Sequence, residues 1–258
     1  MRSISLWSGL VLVIACEITD TAARGQNVLV SGNTFGAPSP QFNAAIDSLG
    51  YNFTFVSPTV FGQTSLSGFS AVWLDGFSQF SPGTPGNPGL SSANLVDFMN
   101  AGGVVFVQNP GFGSERLTAY PFGDEFGGVF TYPPGENTVR LTGSGNPINA
   151  NLTDAGLSDW NASAYGYFTG NGSFTGASDN GTTGNWLTLG RQVGAGELVY
   201  TQQGVAQRLE ANPSDPQALQ LLGNVLNLHQ VPEPGTVGLF LSGAAGFLAW
   251  RRISRCRL

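Results

Sequence analysis

Apolar positions along the chain fall into two kinds of run. "FSAVWLDGF" (Phe69–Phe77) and "VVFVQNPGFG" (Val104–Gly113) are continuous apolar stretches that end in turn residues. Runs of that length predict strands buried on both faces. "NVLVSG" (Asn27–Gly32) is a β-branched run closed by glycine, "NFTFV" (Asn52–Val56) alternates as a strand, and "GELVYTQQG" (Gly196–Gly204) predicts a late core strand. Between them, apolar residues recur at helical spacing. Phe42, Ala45, Ile46 and Leu49 make one face, with Pro40 near the first turn and Gly50 at the stop. Leu95, Phe98 and Met99 make another, inside "SSANLVDFMNAGG", with Ser91 as N-cap and a glycine stop. The strongest helical pattern is "SDPQALQLLGNVLNLHQ" (Ser214–Gln230). Asp215-Pro216 opens it, and Leu219, Leu222, Val225 and Leu226 form its stripe.

Strand, helix, strand, strand, helix, strand predicts a parallel sheet with helices on both faces. The middle of the chain is less regular. "TVRLTG" predicts a strand, "INANLTDAGLSDW" a short helix and turn, and Tyr165–Phe168 and Trp186–Leu189 short strands. No internal repeat is evident, which argues against a solenoid or propeller.

Composition narrows the class. The chain has 258 residues, 10% charged and 11% aromatic, a globular rather than a disordered balance. Between Asn27 and Gln230 four arginines face thirteen acids. A body so acidic has no basic footprint for nucleic acid. The two cysteines, Cys16 and Cys256, lie in the end segments. The body therefore has no disulfide, thiolate nucleophile or cysteine metal site. Neither a metal nor a cofactor is called for.

The two ends differ from the body. Residues 1–23 carry Arg2, an apolar core from Leu6 to Ala15 and the small residues Thr21-Ala22-Ala23, the anatomy of a secretory signal peptide. "VIAC" (Val13–Cys16) offers an alternative, a lipoprotein box with Cys16 as the lipidated residue. At the other end, Val237–Trp250 is a fourteen-residue apolar run. At about 1.5 Å per residue it spans roughly 21 Å, short of the ~30 Å hydrocarbon core. Arg251, Arg252, Arg255 and Arg257 follow it and would stay cytoplasmic. Pro232-Glu233-Pro234, the short apolar helix and the arginine tail together resemble the PEP-CTERM sorting signal of exopolysaccharide-producing Gram-negative bacteria. The resemblance covers 231–258. It implies export, transient residence in the inner membrane and recognition of Pro232-Glu233-Pro234 by an exosortase-type transpeptidase. Release to the cell surface, with exopolysaccharide as a partner there, would follow.

The body, 27–230, resembles the class I glutamine amidotransferase-like fold through "NVLVSG", "AVWLDGF" and "LVDFMNAGGVVFVQNPGFG". That resemblance implies an α/β, flavodoxin-like three-layer sandwich with a mainly parallel sheet, flanked by the signal helix and the short transmembrane helix. Catalytic members place a cysteine on the turn after a core strand. Here the turn reads Asn109-Pro110-Gly111-Phe112-Gly113, and no histidine precedes His229. Amidotransferase chemistry does not carry over, and no catalytic residue is assigned.

Open α/β sheets bind ligands at the carboxyl ends of their strands. Asp75, Gln108, Asn109, Glu115 and Gln202 fall there and form the candidate ligand edge. The expected function is an exported, non-enzymatic surface or matrix protein. The alternatives are a polysaccharide hydrolase using Asp75 and Glu115 as paired carboxylates, or a lipoprotein held through Cys16. Asp124-Glu125 and Asp179-Asn180-Gly181 lack the oxygen spacing of a calcium loop, and an Asx turn is the simpler reading of the latter.

Overall fold

A computed structural model describes residues 26–32, 39–75, 92–108, 117, 120–130, 138–158, 160 and 166–228. The signal segment, the sorting tail, His229 and the loops carrying Asn109 and Glu115 lie outside the described residues. The strands are β1 (Asn27–Gly32), β2 (Asn52–Val56), β3 (Ala71–Asp75), β4 (Val104–Gln108), β5 (Gly127–Phe130), β6 (Arg140–Leu141), β7 (Gly166–Thr169), β8 (Thr175–Asp179), β9 (Asn185–Val193) and β10 (Gly196–Thr201). The helices are α1 (Pro40–Asp47), α2 (Pro58–Phe61), α3 (Ser92–Asn100), α4 (Asp154–Leu157), α5 (Val205–Ala211) and α6 (Pro216–Leu226).

All the strands join one sheet, ordered β2-β1-β3-β4-β10-β9-β7-β5, with β8 paired to β9 and β6 to β8. The first five strands in that order run parallel. By rank among the parallel strands the order is that of a doubly wound, flavodoxin-like sheet, whose switch point lies between β1 and β3. The expected parallel sheet is present in this half, but the other half was not expected. From β10 outward every pairing is antiparallel, so the sheet is mixed. The reason is local: β9 turns back into β10 through Gly194 at φ 61° and Ala195, a two-residue connection that only antiparallel neighbours can use.

Alternation along the central strands sorts side chains to two faces. Val28, Val30, Ala71, Trp73, Val104, Phe106 and Val199 join one apolar cluster with α1, α5 and α6. Leu29, Val72, Leu74, Val105, Val107, Leu198 and Tyr200 join the other with Leu95 and Met99 of α3. Trp73 stacks on Phe106 with ring centroids 5.9 Å apart, and both are fully buried. On the second face Tyr200 is ringed by Tyr120, Phe126, Phe168 and Phe174. Its hydroxyl donates to the Pro121 carbonyl at 2.7 Å, and burial pushes its pKa up.

Helix ends follow the sequence signals. Ser39 caps α1 by accepting from Phe42 N at 3.1 Å, and Pro40 takes the first turn. Asp215 caps α6 by accepting from Gln217 N and Ala218 N at 3.0 and 2.9 Å. The α6 stripe is shifted from the expected one. Ala218, Leu221, Leu222, Val225 and Leu226 are buried, while Leu219 is only partly covered. The cause is the first apolar position, which is Ala218 rather than Leu219. "INANLTDAGLSDW" forms a single 3-10 turn (Pro147–Asn149) and the one-turn α4. No helix among the described residues is long and apolar enough to cross a membrane.

Candidate functional site

The register places Gly32, Asp75, Gln108 and Thr201 side by side at the carboxyl ends of β1, β3, β4 and β10. Of the expected ligand-edge residues, Asp75 and Gln108 share this row, and Gln202 follows it directly. Asn109 and Glu115 lie outside the described residues, as do Pro232, Glu233, Pro234, Arg251 and Arg252 of the sorting motif.

Asp75 sits at the switch point and is 1% exposed. Its neighbour has to be glycine. A Cβ on Gly32 would run into the Asp75 Cβ and stand 2.9 Å from its carbonyl oxygen. The close approach of the two strand ends is therefore written into the sequence as the glycine that closes "NVLVSG".

Gln108 has a defined job in the fold. Its Oε1 accepts from Ala206 N at 2.9 Å, and its Nε2 donates to Gln207 Oε1 at 3.0 Å. Helix α5 begins after Gly204, which offers no side-chain cap. Gln108 supplies the missing acceptor from the neighbouring strand and so fastens the helix to the sheet. Beside it runs a buried hydroxyl–amide network. Thr188 Oγ1 lies 3.0 Å from Thr201 Oγ1 and donates to Gln203 Oε1 at 3.2 Å, while Gln203 N donates to Thr201 Oγ1 at 3.1 Å.

Two atoms at this edge stand out. Gln202 Oε1 and Gln203 Nε2 are buried without a hydrogen-bond partner among the described residues. Each unsatisfied buried group costs about 1–3 kcal/mol, and such groups concentrate where a ligand or water completes the bonding. One is an acceptor and one a donor. Gln203, Thr188 and Thr201 were not among the residues expected from sequence. The consecutive glutamines of "TQQG" after an apolar strand could have pointed to Thr201 and Gln203, whereas Thr188, on the neighbouring strand β9, carried no local signal.

Asp179 and Glu125, from the two acidic stretches, both have partners within the fold. Asp179 is 1% exposed and takes a bidentate bond from Arg140, at 2.9 and 2.6 Å. That bond, before the Coulomb attraction, raises the Arg140 pKa. The same carboxylate accepts from Gly181 N at 2.9 Å, closing an Asx turn. Glu125 accepts from Ser173 Oγ and backbone N, and pairs with Arg191 at 2.6 Å. The Ser173 hydroxyl leads the causes that hold its pKa down.

Comparison with known proteins bears on both parts of the chain. The PEP-CTERM protein-sorting motif matches residues 230–253. That motif marks exported proteins sorted by exosortase. No curated protein matches the chain in sequence. The fold is similar to those of two cytoplasmic proteins of Salmonella typhimurium. One aligns with a TM-score of 0.56 at 9% identity, covering 80% of this chain and 100% of its own. The other aligns with a TM-score of 0.52 at 8% identity, covering 78% and 98%. Structural neighbours also include glutamine amidotransferase subunits. Among them is PurLQS from Thermotoga maritima, with a TM-score of 0.46 at 11% identity over 79% of this chain and 98% of that one.

Proposed function

We propose that the chain is an exported, non-enzymatic surface or matrix protein whose body holds a polar ligand, an exopolysaccharide, at the carboxyl edge of its sheet. Exosortase processing would release it from a transient stay in the inner membrane. The sorting motif at residues 230–253 carries this reading. It is supported by the sequence that follows β4, Asn109-Pro110-Gly111-Phe112-Gly113, which holds no cysteine, whereas catalytic members of the amidotransferase-like fold it resembles carry one on the turn after a core strand. It is supported further by the two unpartnered amide atoms of Gln202 and Gln203, which suit hydroxyl groups of a saccharide better than they suit catalysis.

The test is a paired assay on the full chain with exopolysaccharide from the producing cells. Binding without release of reducing ends is expected, weakened about tenfold in Gln202→Ala, since one bond to a buried polar group is worth on the order of 1–1.5 kcal/mol. Release of reducing ends that Asp75→Asn or Glu115→Gln abolishes would replace this reading with a two-carboxylate hydrolase.

A further inference from the structure

A groove of about 740 Å³ opens at the other edge of the sheet, around the start of β10. Glu197 lies there, at the amino end of the strand whose carboxyl end carries Gln202. Its carboxyl is half-buried and makes no hydrogen bond or ion pair with the described residues. Two neighbours shape the space. Gly190 leaves the floor open, because a Cβ there would stand 2.8 Å from Ile148 Cδ1 and 3.5 Å from Glu197 Oε1. Arg191 also borders the groove, but it faces Leu198 on the other side of the sheet, where Glu125 neutralises it at 2.6 Å and it stacks 3.9 Å over the Phe122 ring. The lining is otherwise uncharged: Ser144 and Thr175 offer hydroxyls, and Pro147 and Ile148 an aliphatic wall. Asn146 uses its Oδ1 on Ile148 N at 3.0 Å, which leaves its amide NH₂ for a ligand.

We infer that this groove is a second binding site, for a neutral polyhydroxylated ligand such as a saccharide chain, with Glu197 accepting from a pair of ligand hydroxyls. The volume falls within the range of ligand sites. Donors and acceptors are mixed, as hydroxyl groups require. With Arg191 paired, the one uncompensated charge on the rim is negative when Glu197 ionises, so anionic ligands are disfavoured. The inference does not depend on the carboxyl edge, which lies at the opposite end of the strands.

Ionisation supplies a signature. Burial pushes the Glu197 pKa up to about 7, and burial is the single cause. In the ladder Glu197 faces Gln192, whereas Arg191 faces Leu198 on the other side of the sheet and binds Glu125 there. A carboxylate accepts more strongly than a neutral carboxyl, so binding should strengthen as pH rises through 7. If the ionised form is the binding form, affinity at pH 6 is about tenfold weaker than at pH 8.

The experiment is saturation-transfer NMR and calorimetry on the full chain in detergent, with cellohexaose, laminarihexaose and mannohexaose as neutral probes and an oligogalacturonate as the anionic one. At least one neutral probe should bind with that pH dependence. Glu197→Gln, near-isosteric and expected to fold, should weaken binding about tenfold and flatten its pH profile. Ser144→Trp, from an exposed loop position, should block the groove while the circular dichroism stays unchanged. The inference is overturned if no neutral probe binds, if the oligogalacturonate binds better at pH 8, or if neither variant alters binding.

Discussion

Gly32 and Asp75 show how much one missing methyl group decides. The two residues sit side by side where the winding of the sheet changes direction, and the glycine lets the strand ends approach. Gly32→Ala is expected to destabilise the fold by about 1–3 kcal/mol, the usual cost of forcing an extra carbon into a packed site. Because the added Cβ meets Asp75 and its backbone rather than a flexible tip, the upper part of that range applies. A urea midpoint lowered at constant m-value would confirm it. A midpoint equal to wild type would mean that the two strand ends are not held together as described.

At the scale of elements, the Asp215 carboxylate joins two helices. One oxygen caps α6, and the other receives Arg208 Nε and Nη2 from α5 at 2.8 and 2.6 Å. Asp215 is 5% exposed, so its removal strips a buried cap and leaves a partly covered guanidinium unpaired. Asp215→Ala should cost about 2–3 kcal/mol, and Asp215→Asn, which keeps the cap but not the charge, about half of that. Thermal melts of both variants separate the two roles. The central strands and α1, α3 and α6 were legible because each is a dense apolar run with a proline, serine or aspartate start and, for α1 and α3, a glycine stop. Strands β5 and β8 were not. "GGVF" and "TGASD" have little apolar content of their own, and pairing with distant strands holds them in the sheet. Glu197 escaped notice for a related reason. Within "GELVY" it looks like the polar start of a core strand, and what surrounds it comes from residues 143–148 and 190–192, far away in the chain. The row at the carboxyl ends of the strands was legible in part: Asp75, Gln108 and Gln202 follow from where apolar runs end, but that Gln108 caps α5 depends on a contact 98 residues away.

For the whole molecule, the sorting motif joins a mixed α/β body to a tail that names its route. Replacing Pro232-Glu233-Pro234 by alanines should leave a longer, membrane-held form. Proline disfavours helix in the residue before it, which would suit access by a processing enzyme, and a fourteen-residue apolar run is short for a permanent anchor. Intact-mass measurement of the cell-surface protein decides the matter. Recovery of "GLFLSGAAGFLAW" on the mature chain would make the tail a plain anchor.

The position of β10 has a consequence for timing. It lies between β4 and β9 in the sheet, yet it is the last of the described strands along the chain, and its parallel partner Val104 precedes Glu197 by nearly half of the body. Until it arrives, the parallel half and the antiparallel half are separate pieces, each with a raw edge that invites wrong partners. Helices α5 and α6, which seal one face, come directly after it, and α6 ends at Leu226, just ahead of the motif at residue 230. The keystone, its cover and the address label are thus made in that order. A chain interrupted before its keystone therefore also lacks the sorting motif.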